Sequence, residues 1–210
     1  MNNIFENNRF TNIFTKNRKY WIFLFVIIVL IVVYSFTKIF LENKNNELAA
    51  ELYSKWELEL SSKDADDSNI SENLFNELIS EYSTTGYTKI ALLKQASINI
   101  NNKDYDNALS QYLTLIDLTD GFKGNKLFNK IARINSARLY YNQEQYGEAL
   151  LLLEKYSTSS SDAIIHELIG DILKKQEKYD LAKDQYLRAK EKYNENLSLS
   201  IINMKLTSVE

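Results

Sequence analysis

The sequence predicts an all-α protein in which a single N-terminal transmembrane helix is followed by a solenoid of helical hairpins. Three observations predict it. The chain has no proline and only five glycines in 210 residues, a shortage of breakers that favours helices over a turn-rich β fold. Residues 20–37 form an unbroken apolar run long enough to cross a bilayer. A tyrosine followed three residues later by an alanine recurs in DYDNA at 104–108, QYGEA at 145–149 and KYDLA at 178–182.

The apolar run, YWIFLFVIIVLIVVYSFT from Tyr20 to Thr37, holds no charge between Lys19 and Lys38. As a helix it spans about 27 Å, close to the hydrocarbon thickness of a bilayer, and Lys38 snorkels to extend the anchor to residues 20–41. Tyr20, Trp21 and Tyr34 place amphipathic rings near its ends, at the level lipid headgroups occupy. A cleaved signal peptide would have a shorter apolar core followed by small residues, whereas YSFTKIF is bulky. A helix packed on a domain by one face would carry a polar stripe, and none is present; a helix apolar all round is either a span or a fully enclosed core helix, and the span is the reading taken.

Charge is divided unevenly along the chain. Arg9, Lys16, Arg18, Lys19 and Lys38 stand against Glu6 in residues 1–41, a net of +4, so the total of −3 leaves −7 for residues 42–210. An acidic domain repels a phosphate backbone, which argues against nucleic acid as a partner. Four basic residues precede the span within about 20 residues and three follow it, Lys38, Lys44 and Lys55. With Arg18 and Lys19 abutting the membrane, residues 1–19 are expected to be a cytoplasmic tail and the domain to lie across the bilayer. The absence of cysteine excludes disulfides, iron–sulfur clusters and thiolate zinc sites, and leaves the redox compartment open.

Residues 42–88 are expected to form a linker helix and a degenerate first hairpin. In NELAAELYSKWELEL at 46–60, Leu48, Leu52 and Trp56 recur every four residues, in a helix that either stands alone or prolongs the anchor. SSKDADDSN is a polar connection. NISENLFNELISEY at 69–82 is amphipathic, with Ser71 and Asn73 as capping candidates, and STTGY ends it.

Twelve residues before Ala108, Ala149 and Ala182 lie Ala96, Ala137 and Gly170. Small side chains in that register let two antiparallel helices approach closely, so Ala96 is expected to face Ala108, Ala137 to face Ala149 and Gly170 to face Ala182. Tyr105, Tyr146 and Tyr179 then open the second helix of each pair, each ring covering its hairpin. The alanine spacings of 41 and 33 imply a unit of about 34 residues, with TDGFKGN at 119–125 supplying the extra length as a longer loop.

These residues resemble the tetratricopeptide family. With Lys89, Lys130 and Ala163 as first residues of three units, Tyr140 and Leu173 fall at position 11 and Tyr112, Leu153 and Tyr186 at position 24. Position 27, an alanine in the family, holds Leu115, Tyr156 and Ala189; the position-4 tryptophan is replaced by Leu92, Arg133 and His166. The closing proline is absent, with Asn194 at the third unit. Residues 89–196 therefore form three divergent tetratricopeptide-like repeats, and 197–210 a C-terminal capping helix. The layout as a whole is similar to that of the YfgM-like ancillary subunits of the SecYEG translocon, carried by SARLYYNQEQYGEALLLLEKY, IGDILKKQEKYDLAKDQYLRAKEK and the ending IINMKLTS. That resemblance implies a single-pass inner-membrane protein whose periplasmic domain associates with the translocon and with a membrane-anchored chaperone of the prolyl-isomerase type, PpiD. The same fold would also serve as a scaffold for another envelope assembly, in cell division or envelope biogenesis.

Catalytic chemistry finds little footing. His166, the only histidine, sits where the paired helices pack, so a Ser-His-Asp triad or a histidine metal site would hang on one core residue. Asp64, Asp66 and Asp67 lack the glycine and distal glutamate of a calcium loop, and Gly121 and Gly124 lack the strand and GK[ST] of a phosphate cradle. The expectation is a non-enzymatic protein without cofactors. Outward positions of the first helices, Arg138, Tyr141 and Asn142 in the second unit and Asp171, Lys174 and Lys175 in the third, are the candidate protein-binding residues, because mixed charge beside an aromatic suits protein recognition.

Overall fold

The computed structural model describes residues 18–61, 68–122, 124–158 and 162–209; residues 1–17 and the aspartates Asp64, Asp66 and Asp67 lie outside them. Among the described residues there are nine helices and no strand.

The first helix, α1 (Arg18–Ser61), runs unbroken for 44 residues, about 66 Å at 1.5 Å per residue. No glycine or proline interrupts it, so residues 46–60 prolong the membrane run and do not form a separate helix. Its apolar part is exposed along its whole length, and one helix is thus long and apolar enough to span a membrane. Burial begins at Ala49 and continues at Leu52 and Trp56, three positions on one face.

Helix α2 (Ser68–Glu81) turns back along α1, with Phe75 stacked on Trp56 at 5.6 Å between ring centroids. Because α2 already begins at Ser68, Ser71 and Asn73 lie within its first turns and do not cap it. Thr85 caps α3 (Gly86–Asn101) by accepting from the Thr88 amide at 3.3 Å, and Thr88 is buried with its hydroxyl beside the carbonyls of Leu78 and Tyr82. Helix α3 runs parallel to α1: Tyr87 meets Tyr53 at 5.8 Å, and further along Lys94 pairs with Glu57 at 2.5 Å and sits 5.8 Å over the Trp56 ring. Truncating a fully buried ring such as Trp56 to alanine costs about 3–5 kcal/mol, so this packing ties the long apolar helix firmly to the domain.

Three hairpins follow: α3 with α4 (Tyr105–Thr119), α5 (Lys126–Asn142) with α6 (Tyr146–Glu154), and α7 (Ala163–Lys175) with α8 (Tyr179–Lys190); α9 (Asn196–Thr207) closes the chain. Each hairpin turns through the same device. Lys103, Glu144 and Glu177 adopt left-handed φ of 62°, 62° and 60°. The next amide in each case, Asp104, Gln145 or Lys178, donates back to the carbonyl of Asn99, Tyr140 or Leu173 at 2.8, 2.8 and 3.0 Å. This is the Schellman closure that usually takes glycine. Tyr105, Tyr146 and Tyr179 open the second helices, Tyr105 and Tyr179 with their rings about half exposed.

Ala96, Ala108, Ala137, Ala149 and Ala182 are all fully buried. At Gly170 the nearest surface is the Tyr186 ring: a Cβ there would lie 2.5 Å from Cε1 and 2.6 Å from Cδ1 of that ring. One expectation needs correction: the extra length of the first repeat spacing lies in helices, not in a loop. Helix α4 has 15 residues against 9 in α6, and α5 has 17 against 13 in α7. The α4–α5 connection is instead shorter than the α6–α7 one, and is kept tight by Gly124, where a Cβ would fall 2.0 Å from the Thr119 carbonyl oxygen.

The interior divides into two apolar clusters joined at α5. One gathers Trp56, Leu78, Leu92 and Leu115; the other Leu153, Ile165, Ile172, Tyr186 and Ile202. Leu152 packs against both, and a polar network lies beside the joint. Asn129, almost wholly buried, donates to the Ile116 carbonyl and the Thr119 hydroxyl, both at 3.2 Å, and accepts from Arg133 Nε and the Tyr156 hydroxyl, both at 3.0 Å. Arg133 reaches on to Asp120 at 3.2 Å. The second unit's departures at positions 4 and 27, Arg133 and Tyr156, thus serve one network.

Two stability predictions follow from this packing. In melts of the full chain in detergent, Gly170→Ala is expected to cost about 1–3 kcal/mol through overpacking on Tyr186, while Lys175→Leu on the exposed end of α7 stays within about 0.5 kcal/mol; the reverse order would mean that the α7/α8 contact is wrongly placed. Glu177→Gly is expected to stabilise by about 0.5–1 kcal/mol, since the left-handed penalty for an L side chain, about 1–2 kcal/mol, exceeds glycine's extra entropy cost; a lower melting temperature would count against the left-handed turn.

Candidate functional site

Residues 167, 171 and 174 recur at i, i+4 and i+7 on α7 and so share one face. The end of α9 meets that face. Lys205 Nζ lies 2.6 Å from Glu167 Oε1 and 2.6 Å from Asp171 Oδ2, and 6.0 Å over the Tyr186 ring. Tyr186 donates its hydroxyl to Asp171 Oδ1 at 2.9 Å, and Tyr193, in the connection before α9, donates to Glu167. Lys174 Nζ donates to Ser208 Oγ at 2.6 Å. One ammonium, two carboxylates and two phenols therefore clamp α9 onto α7 by charge-assisted hydrogen bonds.

Their protonation follows from this geometry. Burial pushes the Glu167 carboxyl up, but the hydrogen bonds from Lys205 and Tyr193 outweigh it and hold the group below its ordinary range. Burial likewise lowers Lys205, and its bonds to Asp171 and Glu167 win, leaving it raised. Tyr186 and Tyr193 are pushed strongly upward, first by burial and then by the carboxylates they face, so both remain protonated donors at any physiological pH.

The residues singled out from sequence fall into two groups. Arg138, Tyr141, Asp171 and Lys174 are drawn to this region. Arg138 is exposed on α5 with a 3.3 Å bond to Asn135 of its own helix, and its charge acts on Glu167 and Tyr193. Tyr141 is half-buried, 6.0 Å from the Tyr146 ring, and burial and then the Asp171 charge raise its pKa. Asp171 and Lys174 are occupied by α9. Asn142 and Lys175 stand exposed at the C-terminal ends of α5 and α7, outside the cluster. Sequence reasoning missed Glu167, Lys205, Tyr193 and Ser208. The Glu167/Asp171 pair at i, i+4, a like-charge spacing that is unfavourable without a cation, was the signal that could have found the first two.

His166 is fully buried, with Nδ1 2.8 Å from Gln185 Oε1 of α8. An amide oxygen only accepts, so Nδ1 carries the proton, and the ring offers no surface to a substrate. The arrangement is suited to recognition by charge and by aromatic contact, with Arg138 and the Tyr141 edge as its accessible parts.

Lys205→Met removes the shared cation from two half-buried carboxylates and is expected to destabilise by about 1–3 kcal/mol at neutral pH. The depressed Glu167 contributes stability that is present above its unfolded value of about 4.5 and is lost as pH falls through its lower folded value. Chemical denaturation from pH 7 to 3 should therefore show a steeper acid loss in the parent than in Lys205→Met; equal slopes would remove Lys205 from that role.

The comparisons accord with this architecture. Residues 13–210 match the family model of the tetratricopeptide repeat-like domain, a match that takes in the apolar helix as well as all three hairpins and α9. No curated protein matches the chain with significant similarity. With nearly its whole length covered, the chain belongs to the tetratricopeptide repeat-like domain family, whose stacked hairpins are protein-interaction modules.

Proposed function

We propose that the protein is a non-catalytic, single-pass inner-membrane scaffold, ancillary to the SecYEG translocon. In this reading its N-terminus is cytoplasmic, its repeat domain is periplasmic, and it links the translocon to a periplasmic chaperone such as PpiD. The observation that carries the reading is the continuity of α1: one helix holds both the membrane run and the Ala49, Leu52 and Trp56 face buried in the repeat core. A binding module built this way is held beside the membrane at a set height, where an assembly embedded in that membrane is its natural partner. Further support comes from the accessible Arg138 and Tyr141 edge, from the resemblance of the layout to YfgM-like subunits, and from the enclosure of the lone histidine.

The test is site-specific photo-crosslinking in intact membranes from Arg138 and Lys175, both exposed and neither engaged with α9. Adducts with translocon subunits or a prolyl-isomerase-type chaperone are expected from at least one position. Adducts confined to cell-division or envelope-biogenesis proteins would replace this reading with the other scaffold role, and labelling from neither face would remove the α5/α7 surface from recognition.

A further inference from the structure

We infer that the α4–α5 edge of the repeat domain is a second membrane contact, a patch that rests on anionic lipid headgroups. The inference rests on α1 spanning a bilayer, and goes beyond the scaffold role.

The direction of the chain sets which edge faces the lipid. Helix α1 leaves the membrane run at Leu41 and climbs, and Tyr87 at the start of α3 is level with Tyr53. Helix α3 climbs with α1 and α4 descends beside it, Asn99 bonding Gln111 at 2.8 Å near the distal turn. The end of α4 at Thr119 is thereby returned to the level of the start of α3, and the connection that follows points toward the bilayer. Lys155, in the next connection, pairs with Asp120 and belongs to the same edge.

The heights are compatible with contact. From Leu41 to Tyr53 the rise is about 18 Å, of which the headgroup layer occupies about 5–8 Å, leaving roughly 10–13 Å. The edge lies about two interhelical distances, or roughly 18 Å, from the α1 axis, so a tilt of about 20° lowers it by about 6 Å. The projecting connection and the reach of a lysine side chain close the remainder.

What this edge displays matches a lipid surface. Phe122 is fully exposed at 103% and Leu127 at 61%, beside exposed Lys126. Lys126, Leu127, Lys130 and Lys155 line an open cleft of about 400 Å³ with Tyr156 and Asp162. Lys126, Lys130, Arg133 and Lys155 gather at this edge of a domain that carries −7 beyond residue 41; Lys130 pairs with Asp162 at 2.5 Å, Arg133 and Lys155 pair with Asp120, and exposed Lys126 stands beside Leu127. A bare phenylalanine and leucine framed by lysines is the composition of a surface that dips into the headgroup layer, with rings entering the interface and ammonium groups meeting phosphates.

The chain has no cysteine, so Phe122→Cys, Glu42→Cys and Glu177→Cys each give a single labelling site. The full-length protein is placed in nanodiscs of phosphatidylcholine, alone or with roughly one-third phosphatidylglycerol, and the label's fluorescence is quenched by a nitroxide on the lipid headgroup. Quenching is expected at 42 in both lipids, at 122 strongly with phosphatidylglycerol, and not at 177 on the distal turn. Lys126→Glu should weaken the 122 contact about five-fold or more, since each lysine near an anionic surface multiplies binding by about that factor. Quenching at 42 with none at 122 above the level at 177 would overturn the lipid contact and leave the span standing. Absence of quenching at 42 would overturn the span, and the lipid contact with it.

Discussion

Everything in this structure hangs on the burial of three side chains, Ala49, Leu52 and Trp56, that belong to the same helix as the membrane run. A transmembrane anchor joined to a domain by a loop leaves that domain free to tumble. Here the joint is helical backbone, and breaking it would mean extracting an enclosed indole from between Phe75, Tyr53 and Lys94. The hydrophobic effect that folds the first hairpin therefore also fixes the domain to the long apolar helix.

The polar network around Asn129 has a related logic. A stack of helical pairs is stabilised chiefly by neighbour contacts, and the two apolar clusters meet at α5 beside a network of Asn129, Arg133, Asp120 and Tyr156. A polar network commits its members to one geometry, because any displaced donor or acceptor is left unpaired in a poorly solvated place. It therefore defines register where apolar packing alone would tolerate sliding. The bulky Tyr156, at a position that prefers alanine, belongs here because its hydroxyl reaches Asn129.

At the far end the chain closes on itself. The α9 helix covers the α7 face with Lys205 and Ser208, occupying Asp171 and Lys174 and leaving Arg138 and the Tyr141 edge accessible. The accessible part of the α5/α7 face is therefore narrower than the sequence positions alone suggest, and it is shifted toward the second unit.

The helical class, the apolar span, the hairpin count and the tyrosine–alanine register were all legible in the residue order, because each depends on periodicity within about a dozen positions, the range over which one helix or one tight turn is built. The recurrence at 41 and 33 is repeated by the left-handed residues Lys103, Glu144 and Glu177, although none of them is the glycine that would have announced such a turn. What tertiary structure alone decided was which distant groups meet. The Tyr186 ring lies against Gly170; longer helices, and not a longer loop, absorb the added residues; Lys205 crosses from α9 to neutralise Glu167 and Asp171. The last of these joins groups 34 positions apart, as Lys205 and Asp171 are; the like-charged Glu167 and Asp171 on one helix face call for a cation, but only the packing of distant helices decides which lysine supplies it.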